Sequence, residues 1–125
     1  MFDIDNFKNV NDTYGHIFGD HVLCEIVKLS KNIIRASDGL FRYGGEEFIV
    51  LLPDSDLDAA IVTAQKLRQA VEEYDFGKGS HITASYGVTN YNLMHDINTN
   101  INNVDTYLYE AKNSGRNCVK SDNLK

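Results

Sequence analysis

Gly44-Gly45-Glu46-Glu47-Phe48 lies between two apolar stretches, Leu40-Phe41 and Ile49-Val50-Leu51-Leu52. Apolar run, glycine pair, apolar run is the pattern of a β-hairpin, and here the tip carries two carboxylates. At such a tip the backbone can approach a ligand closely and side chains can reach a metal or a phosphate. A glycine-pair turn with surface acids is, taken alone, an ordinary turn. A second acidic cluster changes that reading, because Asp3-Ile4-Asp5 ends an apolar N-terminal stretch. Two carboxylate clusters on strand ends suggest one hard-cation site built from both.

Working outward, residues 1–4 read as the end of a strand and residues 7–14 as a short helix closed by Gly15. A longer helix follows, with Asp20 as its cap and an apolar stripe of Val22, Leu23, Ile26, Val27, Ile33 and Ile34. Ser37-Asp38-Gly39 ends that unit, and Pro53 closes the hairpin. Leu57, Ala60, Ile61, Ala64, Leu67, Val71 and Tyr74 mark another amphipathic helix. Ile82, Ala84, Tyr86 and Val88 alternate as a half-buried strand does. Residues 90–100 are polar and rich in Asn, and read as a loop. Ile101, Val104, Leu108 and Ala111 mark the last helix, Gly115 terminates it, and Cys118-Val119 reads as a short strand. Helices interleaved with a sheet that contains an antiparallel hairpin predict an α/β (α+β) sandwich of the ferredoxin-like kind.

At 125 residues the chain is long enough for one domain with its own core, and 42% hydrophobic residues is ordinary for a globular protein. The formal net charge of −6 argues against nucleic acid as a partner, which needs a basic face. It leaves a nucleotide substrate open, since Mg²⁺ and a few placed cations offset phosphate charge locally. Cys24 and Cys118 have no metal-ligand spacing and fit reduced thiols in a cytoplasmic chain. His21, His81 and His95 show no ligand spacing either. No apolar run is long enough to span a bilayer.

The string Arg42-Tyr43-Gly44-Gly45-Glu46-Glu47-Phe48 resembles the signature of the GGDEF family, the diguanylate cyclases, in its variant with Glu at the third position. Residues 3–12 (Asp-Ile-Asp-Asn-Phe-Lys-Asn-Val-Asn-Asp), with Tyr14-Gly15-His16 and Gly19-Asp20, resemble that family's first block. Residues 108–117 (Leu-Tyr-Glu-Ala-Lys-Asn-Ser-Gly-Arg-Asn) resemble its closing block. Three ordered motifs over nearly the whole chain make the resemblance specific. It implies a palm-type sheet related to that of nucleotidyl cyclases, with the hairpin carrying the signature.

The resemblance also implies the chemistry. Diguanylate cyclases condense two GTP into cyclic di-GMP and two pyrophosphates, with Mg²⁺ (or Mn²⁺) as cofactor and a homodimer as the working unit. Asp3 and Glu46 are then metal-binding side chains, with the backbone carbonyl of Ile4 completing the site. Glu47 is the second acid of the signature, and either assists metal binding or helps deprotonate the 3′-hydroxyl. Gly44 and Gly45 allow the backbone to approach the phosphates. Asn11 and Asp20 match the positions that read guanine, while Phe7, Lys8, Lys112 and Arg116 match those around the triphosphate. For Lys112 and Arg116 the competing explanation is simply that cations favour a helix C-terminus. Arg42 either steadies the hairpin or touches phosphate. Arg35 and Asp38, five residues ahead of the glycine pair, match an inhibitory product site for cyclic di-GMP, and Arg68 is a candidate assistant there. A catalytically silent receptor for GTP or cyclic di-GMP is the alternative function.

One departure accompanies the match. The family's module normally starts earlier, so residues 1–125 are expected to lack an N-terminal helix and part of the first strand. A strand starting at Met1 is then expected to hold Asp3 poorly and to lower activity. An upstream segment that carries a sensor or a membrane anchor is expected in the full-length protein.

Overall fold

A computed structural model describes residues 1–122. The order of elements is β1 (Phe2–Ile4), α1 (Phe7–Tyr14), α2 (His16–Ile33), β2 (Gly39–Arg42), β3 (Glu47–Leu51), α3 (Leu57–Glu73), β4 (Ala84–Val88), α4 (Ile97–Asn113) and β5 (Val119–Ser121). The five strands form one sheet in the order β2-β3-β1-β4-β5. β1 is antiparallel to both neighbours, β2 and β3 form the hairpin, and β4 and β5 run parallel across the α4 crossover. The first four strands thus have the ferredoxin-like arrangement, with β5 added at the edge.

Register decides which residues share a face. Phe2 pairs with Phe48 on one side and Tyr86 on the other. The Phe2 ring stacks on Phe48 and meets Tyr86 at a tilt, with centroids 5.0 Å and 4.9 Å apart, and such aromatic pairs contribute about 0.5–1.5 kcal/mol each beyond their buried area. This face joins one core with Val10 of α1, Phe18, Val22 and Ile26 of α2, and Ala64, Leu67 and Val71 of α3. The alternate residues Asp3, Glu47 and Ser85 lie side by side on the other face. That face meets α4, and so closely that a Cβ on Gly87 would stand 2.4 Å from the Leu108 nitrogen and 2.7 Å from the Val104 carbonyl oxygen.

Three expectations are corrected. β1 has only three residues, yet it is the central strand and is paired on both sides. Asp3 is therefore firmly held and buried. The long helix starts at His16 behind Gly15, whose φ of 92° serves the turn between α1 and α2, so Asp20 lies inside the helix and caps nothing. The Asn-rich loop is shorter than expected: Asp96 accepts from the Thr99 N–H at 2.7 Å and starts α4 at Ile97. The buried Asn100 side chain binds back to Asn92 and Asp96, which consumes the polarity that looked like loop.

Candidate active site

The two acidic clusters meet at the end of β1. Asp3 sits directly across from Glu47, and the Ile4 N–H donates to the Glu46 carbonyl at 3.2 Å. From α4, Lys112 Nζ donates to Asp3 Oδ2 at 2.6 Å. Burial pushes the Asp3 carboxyl up to about 6; the Lys112 hydrogen bond and charge oppose this, and the charges of Glu46 and Glu47 add to it. Burial works against the charge on Lys112, but the bond to Asp3 raises its ammonium above the ordinary value. Asp3 thus feels the charge of both neighbouring glutamates and is countered by one lysine.

Among the described residues no group of three or more His, Cys, Asp and Glu side chains is arranged to hold a metal ion. The oxygen donors come instead from two strands, Asp3 and Ile4 on β1 with Glu46 and Glu47 at the head of β3. An all-oxygen set with unneutralised charge fits a hard cation that keeps several waters.

The hairpin forms as expected, with its tip at residues 44–46. The Tyr43 N–H donates to the Glu47 carbonyl at 2.8 Å, and the Glu47 N–H to the Gly44 carbonyl at 3.3 Å. Arg42 donates through Nε and Nη2 to the Gly45 carbonyl, at 3.0 Å and 2.6 Å, so it steadies the hairpin. Neither Gly44 nor Gly45 has positive φ, and a Cβ on either would meet nothing within 4 Å. Among the described residues nothing requires glycine at either position.

α1 and α2 bring Asn11 and Asp20 together. Gly19 is buried in α2, and the Asn11 side chain fills the place of its missing Cβ, only 1.9 Å from Oδ1 to that position. Asp20 is the next residue and is exposed. Phe7 and Lys8 open α1 behind Asn6, whose side chain caps none of the first-turn N–H groups. Arg116 follows α4 in a turn where Gly115, Arg116 and Asn117 have φ of 100°, 65° and 47°.

Arg35 and Asp38 lie apart, in the α2–β2 loop at the end of the hairpin opposite its tip. There they close on each other. Asp38 Oδ2 accepts from the Arg35 N–H at 2.7 Å, and Oδ1 accepts from Arg35 Nη2 at 3.0 Å. These bonds hold the Asp38 carboxyl below its ordinary range, against burial. The same Nη2 donates to the Pro53 carbonyl at 2.7 Å and Ser55 Oγ at 3.1 Å. Arg68 is not part of this loop: its guanidinium binds Gln65, Asn117 and Glu72. The family resemblance suggested it as an assistant to Arg35, but it faces the closing block at Asn117.

Sequence reasoning left Asp5 without a role of its own. Asp5 is buried, and its Oδ2 accepts from Thr83 Oγ1 at 2.7 Å and from the Asn117 N–H at 3.0 Å. No spacing rule links residues 112 positions apart; only the sheet register brings them together.

A ferredoxin-like palm with carboxylates on a central strand and on the adjoining hairpin defines a nucleotidyl-cyclase type of domain. The sequence model of the family described as "Diguanylate cyclase, GGDEF domain" matches residues 1–118, and the chain belongs to that family. It is 47% identical over 124 residues to diguanylate cyclase A of Treponema denticola, covering 95% of this chain and 33% of that protein. It is 40% identical over 119 residues to the diguanylate cyclase DgcM of Escherichia coli, covering 95% of this chain and 29% of that one. The chain thus spans about a third of the length of these curated relatives. Among solved structures, the active GGEEF domain of a diguanylate cyclase from Vibrio cholerae superposes with a TM-score of 0.91 at 37% identity, over 99% of this chain and 81% of that one. The GGDEF domain of DgcB from Caulobacter crescentus, solved in complex with c-di-GMP, gives 0.90 at 28% identity, over 96% and 74%. No helix among the described residues is long and apolar enough to cross a membrane.

Proposed function

We propose that this chain is the catalytic domain of a diguanylate cyclase that joins two GTP molecules into cyclic di-GMP with release of two pyrophosphates. The observation that carries the reading is the open space around Gly44 and Gly45, beside three carboxylates that share one field of charge. Glycine without an internal reason, next to oxygen donors, is what a phosphate-binding hairpin needs.

Each residue has a task in this reading. Asp3, the Ile4 carbonyl and Glu46 hold Mg²⁺ (or Mn²⁺), which supplies charge neutralisation and a more acidic 3′-hydroxyl when bound. Phe7 and Lys8 present the first-turn N–H groups of α1 to the β- and γ-phosphates. Lys112 leaves Asp3 for the triphosphate and joins Arg116 there. Asp20 accepts from guanine N1–H and the 2-amino group, with Asn11 beside it; adenine lacks both donors, so ATP leaves the acid unpaired. In each condensation the 3′-oxygen of one GTP bonds to the α-phosphorus of the other. The bond from that phosphorus to the bridging oxygen breaks, pyrophosphate keeps the electron pair, and the hydroxyl proton passes to a base. Glu47, across from Asp3, either takes that proton or adds to the metal's ligands.

Two such domains face each other, each with one GTP, and an input segment of the longer protein brings them together inside the cell. Product returns to Arg35 and Asp38, where it must open the internal ion pair before it can be held. The test is cyclic di-GMP production from GTP with Mg²⁺, by wild type and by Glu46→Gln. The substitution removes turnover and lowers GTP binding much less, because a metal carboxylate acts mainly in the transition state. Unchanged production by Glu46→Gln refutes the metal assignment. GTP binding by wild type without any product, at concentrations where the domain is dimeric, refutes the enzyme reading.

A further inference from the structure

The Gly115–Asn117 turn has three successive residues in the left-handed region, and two of them are not glycine. Such backbone persists only where its surroundings over-determine it. Here the surroundings are polar and come from three distant parts of the chain. The Asn117 N–H donates to Asp5 Oδ2 at 3.0 Å and to Ser85 Oγ at 3.2 Å. Ser85 Oγ in turn donates to Asp5 Oδ1 at 2.6 Å. The Asn117 side chain accepts from Arg68 Nη1 at 3.2 Å and donates to Glu72. Arg68 and Glu72, one turn apart on α3, pair with each other at 3.6 Å.

We propose that Asp5, with Arg68 and Glu72, forms a positioning network whose task is to aim Arg116 at the nucleotide's phosphates. The inference rests on the diguanylate cyclase reading and on the phosphate role of Arg116 within it. The geometry has a direction. Asp3 and Asp5 stand two apart at the end of β1, and they hold Lys112 and Asn117, two residues of the closing block on either side of Arg116. Arg116 lies between these two anchor points, is exposed, and makes no ion pair among the described residues. Its neighbour is fixed while its own guanidinium is left for another partner. The Asp5 carboxylate, meanwhile, is turned entirely inward, to two hydroxyls and one N–H. It is a positioning residue and not a catalytic one.

The conservative variant gives a further discrimination. An Asn at position 5 keeps one oxygen to accept from Thr83 and from the Asn117 N–H. Its amide donates to Ser85 Oγ, which loses one donation but remains bonded. Asp5→Asn therefore retains the turn, and Asp5→Ala does not.

The experiment is a double-mutant cycle between Asp5→Ala and Arg116→Ala. The probe is a GTP analogue with a methylene bridge between the α- and β-phosphorus atoms, which cannot release pyrophosphate, titrated calorimetrically with Mg²⁺ present. KM and kcat for GTP are measured beside it. Each single variant weakens analogue binding about tenfold, the double variant weakens it no more than Arg116→Ala alone, and Asp5→Asn restores near wild-type affinity. Where Asp5→Ala fails to melt cooperatively, Asn117→Ala takes its place in the same cycle, since it severs the contacts to Arg68 and Glu72. Additive losses overturn the proposal, for they mean that the network acts on the fold and not through Arg116. Unchanged binding in Arg116→Ala overturns the phosphate role itself and the proposal with it. Wild type that binds no analogue at all overturns the underlying nucleotide reading.

Discussion

Gly19→Ala separates a cost to the fold from a cost to the site. The added Cβ would lie 1.9 Å from Asn11 Oδ1, 3.0 Å from its Cγ and 3.3 Å from Phe7 Cζ. Two atoms cannot share the first of these distances, so something moves. What stands in the way is the end of a flexible side chain, and rotating Asn11 to a less favoured position costs about 0.5–1.5 kcal/mol. Against this, alanine inside a helix is favoured over glycine by about 0.8–1.0 kcal/mol. The two nearly cancel, and the melting temperature stays close to wild type. Nucleotide recognition has no such compensation. With its amide displaced, Asn11 loses its hydrogen bond to the base, worth about 0.5–1.5 kcal/mol, or roughly three- to tenfold in GTP affinity. The preference for GTP over ATP falls by a similar factor. Thermal melts and KM values for both nucleotides measure these quantities. In an Asn11→Ala background the obstruction is gone, and Gly19→Ala then leaves affinity unchanged and stabilises the helix. Full GTP affinity in the single variant, or a loss of several kcal/mol in stability, refutes the reasoning.

Other perturbations divide in the same way. Gly87→Ala sets its Cβ against α4 backbone, at 2.4 Å from the Leu108 nitrogen, which no side-chain rotation relieves; it destabilises by about 1–3 kcal/mol or more in urea melts, and a wild-type midpoint contradicts the close approach of α4. Arg35→Ala weakens cyclic di-GMP binding away from the active site and relieves product inhibition while initial rates without product stay at the wild-type level; inhibition curves that do not shift defeat that assignment. Asp3 gives a pH signature in metal-free protein. Its carboxyl is raised from 3.8 to about 6, so the folded state binds the extra proton, and stability present below the unfolded value is lost as pH rises through that window. Asp3→Asn flattens this part of the pH–stability curve in EDTA, and an unflattened curve means that another group titrates there.

How far the sequence could be read depended on whether a signal was local. The hairpin was legible because a glycine pair between apolar runs is a local pattern, and α3 was legible because its stripe from Leu57 to Val71 keeps the helical period. The start of α2 was not, because Asp20 looks like a cap while the actual turn is made by Gly15. Asp3, Glu46 and Glu47 could be matched to a motif, but their convergence is a matter of register, in which Asp3 falls opposite Glu47. Arg68 was carried over from the family resemblance as a partner of Arg35, and only packing tells which neighbour its helix face meets, here Asn117. The glycines make the point most sharply. Gly19, Gly44, Gly45 and Gly87 are identical letters with different causes. Gly87 makes room for the backbone of α4, Gly19 makes room for the Asn11 amide, and Gly44 and Gly45 make room for nothing in the chain. A glycine that answers to packing predicts a stability defect when replaced; one that answers to a ligand predicts a functional defect in a protein that still folds. Replacing Gly44 or Gly45 by alanine therefore leaves the melt unchanged, and whatever is lost measures how near the substrate comes.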